Sequence, residues 1–346
     1  MKRILLASVV IAAAVAIIVV WQFVRFLDAP IAVAADGLTY EIAPGTAFAA
    51  VSNDLGARGV ISHPRIFRWY ARLTGDASKV HAGEYRIESG ITPPELLQKF
   101  VRGDVRLHSF TIVEGWTYRD LLGGLRRHEA ILQSIVHDWE TLRETLGSEA
   151  EHPEGLFLPE TYRFPKGTRD TEILRQAYEM MAKTLGEEWS KRADDFPLSD
   201  RYEVLILASI VERETARADE RAKIAGVFVR RLEKGMRLQT DPTVIYGIGP
   251  DFDGNLTRRH LQTDTPYNTY TRAGLPPTPI ALPGRAAIHA ALNPAPGAEL
   301  YFVATGLGDG SHKFSATKAE HDAAVAELLA RQRDARRKSA KSNGSR

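Results

Sequence analysis

Residues 4–24 read ILLASVVIAAAVAIIVVWQFV and contain no charged residue. As a helix, 21 such residues span a bilayer core of roughly 30 Å. Lys2 and Arg3 precede the run, and Trp21 and Phe23 lie near its far end, where interfacial aromatics are typical. The sequence therefore predicts a transmembrane helix over 4–24. Residues 1–3 are expected in the cytoplasm and the rest of the chain on the other side of the membrane.

A cleaved signal peptide is the alternative for this segment. Ala32-Val33-Ala34 offers a small-residue cleavage site. The apolar region of a signal peptide normally has only about 7–15 residues, so the length of the run favours an uncleaved anchor.

Composition excludes several classes of function. Net charge is +2 with acids and bases interspersed, which gives no support to a nucleic-acid partner. The chain has no cysteine, so disulfides, thiolate catalysis and Cys-type zinc sites are excluded. Neither a His-Glu-x-x-His pair nor a Gly-x-Ser-x-Gly elbow occurs, so metalloenzymes and serine hydrolases lack support.

A short pattern, aromatic-x-Ile-x-x-Gly, occurs three times, at 40–45, 85–90 and 110–115. Each copy is typical of an alternating strand that ends in a glycine turn, and a helical pattern follows each one. Another helical segment lies between the first two copies. We therefore expect residues 38–104 to form a small α+β unit in the order strand, helices, strand, helix.

A second apolar run, Val204–Val211, leads directly into a carboxylate. Leu205, Ala208, Ser209 and Glu212 recur at helical spacing and so share one helix face. A carboxyl in an apolar setting has a raised pKa, as a general acid requires. The spacing alone leaves open the alternative of a core helix whose last carboxylate reaches solvent.

Three segments in this half of the chain carry a family resemblance. They read ASIVERET at 208–215, ERAKIAGVFVRRLEKGMRLQTDPTVIYGIG at 220–249 and TPYNTYTRAGLPPTPIALPG at 265–284. Together they resemble the endolytic murein transglycosylases, the MltG or YceG-like family, and the likeness extends from the apolar segment to about residue 330. In that family the Glu directly after the Ser-Ile-(Val/Ile) run is catalytic, which corresponds to Glu212 and not Glu214.

The resemblance implies an α+β fold in three parts. These are the transmembrane helix, a LysM-like glycan-binding module at 38–104 and a YceG-like catalytic domain at 106–332. A basic tail at 333–346 is expected to be disordered. The implied setting is the bacterial inner membrane with the catalytic domain in the periplasm. The implied partners are peptidoglycan glycan strands, and a link to peptidoglycan synthases (penicillin-binding proteins) is suggested.

The resemblance also implies a lytic mechanism without metal or cofactor. Glu212 would protonate the glycosidic oxygen between MurNAc and GlcNAc and then take the proton of the MurNAc C6 hydroxyl. That hydroxyl attacks intramolecularly and leaves a 1,6-anhydro end. Six residues with amide, hydroxyl, carboxylate or aromatic side chains are the candidates for holding the sugar: Gln239, Asp241, Tyr246, Asn268, Thr269 and Tyr270.

Two other functions remain as alternatives. A hydrolase would use Glu212 with Asp241 or Glu214 and a water molecule. A membrane-tethered protein that binds glycan without cleaving it would need none of these roles. For residues 38–104, a spacer without glycan affinity is the alternative to a binding module.

Overall fold

The computed structural model describes residues 2–133, 138–194, 196–198 and 200–343. They form an α+β chain that divides into two compact units. The first unit comprises the residues up to Ser109 together with Arg163–Thr168, and the second comprises Phe110–Tyr162 together with the residues from Arg169 onward.

The first unit holds the amino-terminal helix and the predicted α+β module. Its elements are α1 (Lys2–Asp28), β1 (Leu38–Ile42), α2 (Phe48–Ala57), α3 (Pro64–Leu73), β2 (Gly83–Ile87), α4 (Pro93–Arg102) and the start of β3 (Leu107–Thr111). Strands β1 and β2 pair antiparallel, with Tyr40 opposite Tyr85. The predicted order of strand, helices, strand and helix is confirmed. Fully buried Phe67, Tyr85 and Phe100 fill the core.

Helix α1 combines an exposed apolar stretch with a packed end. Leu6–Asp28 is long and apolar enough to cross a membrane, judged by length and composition. Near its end, Phe26 is buried in the core of the first unit, and Phe23 lies edge-on to Trp69 with ring centroids 5.4 Å apart. Just beyond the helix, the backbone N–H of buried Ile31 donates to the Ile91 carbonyl at 2.8 Å. The segment next to the predicted membrane helix is therefore part of a folded core.

The second unit contains most of the helices. Its elements are α5 (Tyr118–Arg127), β4 (Ile131–Leu132), α6 (Trp139–Leu146), α7 (Asp170–Trp189), α8 (Arg201–Glu214), α9 (Arg221–Glu233), α10 (Asp241–Ile248), a 3₁₀ turn (Gly249–Asp251), α11 (Arg258–Gln262), α12 (Arg285–Leu292), β7 (Tyr301–Ala304), β8 (His312–Ser315) and α13 (Lys318–Asn343). Strands β5 (Thr161–Pro165) and β6 (Thr168–Arg169) each have residues in both units. Every residue from Val204 to Val211 is buried, and α9 and α12 pack against α8. Helix α8 is thus the centre of this unit.

Three boundaries differ from the sequence expectations. Residues 106–109 belong to the first unit, although the predicted catalytic domain begins at 106. Arg163–Thr168 also belongs to the first unit and also falls inside the predicted catalytic domain. It does so because β5 is hydrogen-bonded to β3, and Lys166 forms an ion pair with Glu41 at 2.7 Å. At the other end, α13 continues to Asn343, so 333–343 is helical where a disordered tail was expected. Residues 344–346 of that tail lie outside the described residues.

Candidate active site

Glu212 lies in the last turn of α8 with its side chain only 6% exposed. Its Oε2 accepts a hydrogen bond from the backbone N–H of Gly284 at 2.9 Å, and its Oε1 is 3.9 Å from Nη2 of Arg221. The burial predicted from the helical spacing is confirmed.

The surroundings of Glu212 raise its pKa above the ordinary value. Burial is the largest cause, and the negative charge of Glu114 acts in the same direction. The Gly284 N–H and the positive charge of Arg221 lower the pKa, but by less. A carboxyl of this kind holds its proton to higher pH than a solvated one and can donate it to a leaving group.

Two loops complete the surroundings of Glu212. The N–H of Gly115 donates to the Leu282 carbonyl at 3.0 Å, and the N–H of Leu282 donates to the Trp116 carbonyl at 2.7 Å. Nη1 of Arg213 donates to the Gly115 carbonyl at 3.1 Å. The residue after Glu212 thereby ties α8 to the loop that precedes α5.

This pairing brings Glu114 and Gly284 together. A Cβ added to Gly284 would lie 2.0 Å from Oε1 of Glu114, so the carboxylate packs directly against the glycine in this arrangement. Glu114 and Arg221 were not among the residues predicted from sequence. One signal was present: in the third repeat, Glu114 occupies the position that holds Pro44 in the first copy and Ser89 in the second.

Part of the predicted sugar-binding set forms a separate cluster around Glu214. The Thr240 hydroxyl donates to Oε1 of Glu214, and the Tyr270 hydroxyl donates to Oδ1 of Asp241 at 2.5 Å. Burial is the largest cause of the raised pKa of Glu214. Gln239 enters this cluster with a left-handed φ of 52° and donates its backbone N–H to the Thr269 carbonyl at 3.2 Å.

Asn268 is 1% exposed, and its hydrogen bonds lie within its own loop. Its Nδ2 donates to three backbone carbonyls, and its Oδ1 accepts from the Tyr270 N–H at 2.8 Å; the three carbonyls belong to His260, Leu261 and Thr263. The amide thus holds the loop in shape, which differs from the predicted contact with a sugar.

Thr269 is also buried. Its Oγ1 accepts from the Thr240 N–H at 3.1 Å and lies 2.9 Å from the Thr243 hydroxyl. These bonds join the loop to the start of α10. Thr269, like Asn268, supports the site from within the structure.

Tyr246 lines a cavity of about 560 Å³. The lining residues are Thr117, Arg119, Asp120, His152, Glu154, Arg213, Pro242, Ile245, Tyr246, Gly249, Pro250, Phe252, Tyr267 and Ile280. Arg213 connects this cavity in sequence to Glu212. The rings of Tyr246 and Tyr267 lie edge to face with centroids 5.0 Å apart. Aromatic faces with convergent polar groups are typical of a small-molecule or sugar site.

Glu154, which sequence reasoning missed, lies in the wall of this cavity and is 2% exposed. It accepts hydrogen bonds from the Tyr118 N–H at 2.9 Å and from the Tyr246 hydroxyl at 3.0 Å. Burial raises its pKa to about 7. Glu154 lies in a polar loop, where no apolar periodicity in the sequence could have predicted its burial.

Comparisons with known proteins agree on a single family. The model of the YceG-like family matches residues 40–327. An endolytic murein transglycosylase of Bacillus subtilis is 31% identical over 301 residues, which cover 82% of each chain. A protein of the same name from Streptococcus pneumoniae is 27% identical over 324 residues, and these cover 84% of this chain but 58% of that longer protein.

Solved structures match this chain as well. The crystal structure of a putative YceG-like protein from Listeria monocytogenes aligns with 84% of this chain and 99% of its own, at 28% identity and a TM-score of 0.49.

Proposed function

This chain belongs to the YceG-like family, and from that premise we propose that it is a lytic transglycosylase that cleaves peptidoglycan glycan strands internally. The relatives named endolytic murein transglycosylase support this reaction class. The observation that carries the proposal is the buried carboxyl of Glu212, which accepts the Gly284 N–H and has a raised pKa.

Glu212 would act first as acid and then as base. Its proton goes to the glycosidic oxygen between MurNAc and GlcNAc as the C1–O bond breaks. The substrate's own 2-acetamido group can stabilise the positive charge at C1 in the meantime. The Glu212 carboxylate then accepts the proton of the MurNAc C6 hydroxyl as the C6 oxygen bonds to C1. The net result is a 1,6-anhydro end with no water consumed.

The cavity beside Arg213 is a suitable place for a sugar unit next to the scissile bond. Its aromatic pair, Tyr246 and Tyr267, offers ring faces, while Asp120 and Arg119 offer polar groups. Asp241 and Tyr270 are hydrogen-bonded to each other and remain candidates for a contact further along the glycan strand.

The hydrolase alternative needs a second carboxylate that activates water. Glu214 is buried against Thr240, and Asp241 accepts from Tyr270, so both expected partners are engaged away from Glu212. A digest in ¹⁸O-labelled water separates the reactions. We expect new ends that are 1,6-anhydroMurNAc and carry no label. Labelled reducing ends would identify a hydrolase, and no new ends at all would favour the glycan-binding scaffold.

We further propose that α1 anchors the protein uncleaved in the bacterial inner membrane, with the amino terminus cytoplasmic and the second unit periplasmic. Cleavage after Ala34 would remove Phe26 and Ile31, which are buried in the core of the first unit. Protein extracted from membranes should therefore retain residues 2–34 by intact mass. A mature chain that begins near Ala35 would contradict the anchor.

The module at 38–104 is proposed to bind glycan and thereby hold the strand near the catalytic unit. Two observations support this proposal. Strands β1 and β2 pair antiparallel and are joined in sequence by α2 and α3, and the chain resembles a family with such a module. The full chain carrying Glu212→Gln should sediment with insoluble peptidoglycan, and deletion of 38–104 should abolish that binding. Unchanged binding would leave the module as a spacer. A functional link to peptidoglycan synthases is proposed on the same family grounds.

A further inference from the structure

Arg221, the first residue of α9, lies between two carboxylates. Its Nη2 is 3.9 Å from Oε1 of Glu212 and 4.0 Å from Oε2 of Glu114. The arginine side chain is 15% exposed, and its Nε is buried without a hydrogen-bond partner among the described residues. At these distances the guanidinium acts on both carboxylates by charge but is hydrogen-bonded to neither.

Glu114 is held opposite Glu212 by the backbone. Its carboxylate lies against Gly284, whose N–H donates to Glu212, so the two carboxylates flank a single glycine. The pairing of Gly115 with Leu282 fixes this arrangement. Glu114 is 48% exposed, whereas Glu212 is buried. The two carboxylates therefore differ in solvation although they share one cation.

Other charges around Glu212 are already engaged elsewhere. On α8, Arg213 donates to the Gly115 carbonyl. At the start of α12, Arg285 is paired with Glu187 and Glu188 of α7, at 2.9 Å in each case.

The remaining neighbours on α8 and α9 also have partners. Glu214 accepts from Thr240, and both carboxylate oxygens of Glu220 are bonded to His312. Arg221 and Glu114 are thus the charged groups placed to act on Glu212, consistent with their opposite effects on its pKa.

We propose that Glu114 is a positioning residue for the reaction: by sharing Arg221, it keeps that guanidinium from closing onto Glu212. This inference rests on the proposed role of Glu212 as acid and base. Arg221 in turn favours the carboxylate form of Glu212 at the moment when it must accept the C6 proton. Glu114 thus favours the protonated form that Glu212 needs as an acid, and Arg221 favours the ionised form that it needs as a base.

Removal of the Glu114 charge should release Arg221 toward Glu212. A guanidinium that reaches hydrogen-bond distance of a carboxylate favours its ionised form and lowers its pKa by about 1–3 units. Glu212 would then lose its proton at lower pH, and the alkaline fall in kcat/KM would begin at a lower pH. Removal of Arg221 as well eliminates the cation that favours ionised Glu212, so the alkaline limb should return to higher pH.

The test compares kcat/KM against pH for the full-length wild type, Glu114→Gln and Glu114→Gln/Arg221→Gln. In the single variant the alkaline limb should lie at least about one pH unit lower than in the wild type. At a fixed pH on that limb, kcat/KM should therefore be about tenfold smaller. The double variant should restore the limb to wild-type pH or above. A lowered rate with an unmoved limb would mean that Glu114 has only a structural role, and would overturn the proposal.

Glu299→Gln is the matched control. Glu299 is 41% exposed and forms an ion pair at 3.4 Å with Arg230, which is 15% exposed. Its carboxylate also lies against a glycine, since a Cβ at Gly297 would be 2.1 Å away from Oε2. It reproduces the exposure and the packing of Glu114 at a site remote in sequence from Glu212. Its pH limb should match the wild type.

A second readout needs no turnover. In protein labelled with ¹³C at glutamate carboxyls, the Glu212 signal is assigned by its loss in Glu212→Gln. Its titration should move to lower pH in Glu114→Gln, and an unmoved titration would overturn the charge sharing. If no 1,6-anhydro ends form in the wild type, the proposed reaction fails whatever the titration shows, so the two proposals can fail separately.

Discussion

The surroundings of Glu212 and Glu214 differ sharply although the two residues are separated by one position on α8. At about 3.6 residues per turn they point roughly 160° apart. Glu212 accepts one backbone N–H and shares Arg221 with Glu114. Glu214 accepts the Thr240 hydroxyl in a cluster that also contains Asp241 and Tyr270.

Burial raises the pKa of both carboxyls, so a raised pKa does not by itself distinguish an acid catalyst from a structural acid. The partners distinguish them. Glu214 is bonded to a side chain of the neighbouring loop. Glu212 has a glycine and a shared arginine beside it, which leaves its proton available to a substrate.

The largest effect is expected from Glu212→Gln. The amide keeps the shape and the bond to Gly284 but donates no carboxylic proton. The rate of strand cleavage should fall by roughly 10²–10⁴-fold, the usual contribution of general acid–base catalysis. Cleavage is measured as anhydro ends released per minute. A variant that folds and retains more than a tenth of the rate would remove Glu212 from its role.

Glu154→Gln should change the pH dependence of stability. The pKa of Glu154 rises from 4.5 to about 7 on folding, so the folded state binds the extra proton between these values. Its contribution is full below pH 4.5 and is lost as pH rises through 7, in total roughly 3 kcal/mol at about 1.4 kcal/mol per pKa unit. The Gln amide can accept from Tyr118 and donate to Tyr246, so both bonds survive.

Denaturant unfolding of the wild type and Glu154→Gln at several pH values measures this contribution. The difference in unfolding free energy should shift in favour of the variant as pH rises from 4.5 to 8. A difference independent of pH would show that Glu154 is not protonated in the folded protein at acidic pH in the way its burial predicts.

Glu214→Gln is expected to have the smallest effect on cleavage, less than about tenfold, or 1.4 kcal/mol in the barrier. The Gln oxygen can still accept from Thr240, so the cluster keeps its hydrogen bond, and no step of the proposed chemistry uses residue 214. Paired measurements of cleavage rate and melting temperature separate a loss of chemistry from a loss of stability. A loss of cleavage as large as that of Glu212→Gln, without unfolding, would move the chemistry to the Glu214 cluster.

Local patterns predicted the parts of the fold that depend on neighbouring residues. The repeat at 40–45 and 85–90 gave β1 and β2 because strand alternation and glycine turns are read over a few positions. The burial of Glu212 followed from the spacing of Leu205 and Ala208. The helical end of α13 was missed because the polar composition of 333–343 suggests disorder, whereas its Ala, Arg and Lys residues are also strong helix formers.

Non-local contacts account for what the sequence did not predict. Glu114 and Gly284 meet only because Gly115 pairs with Leu282, far away in the chain. No periodicity encodes that encounter. Asn268 was expected to face a sugar, since exposed amides often do, but the loop uses its amide for three carbonyls of its own backbone. For a polar side chain in an irregular loop, the sequence does not indicate whether it binds a ligand or bonds to the backbone of its own loop.

The most direct test of Glu212 as the acid is a crystal structure of Glu212→Gln with an uncrosslinked glycan oligomer. Our account predicts a scissile glycosidic oxygen within hydrogen-bond distance, about 2.6–3.2 Å, of the residue 212 amide, with one sugar in the cavity lined by Tyr246. A glycosidic oxygen placed instead against Glu214 and Asp241, with residue 212 out of reach, would contradict it.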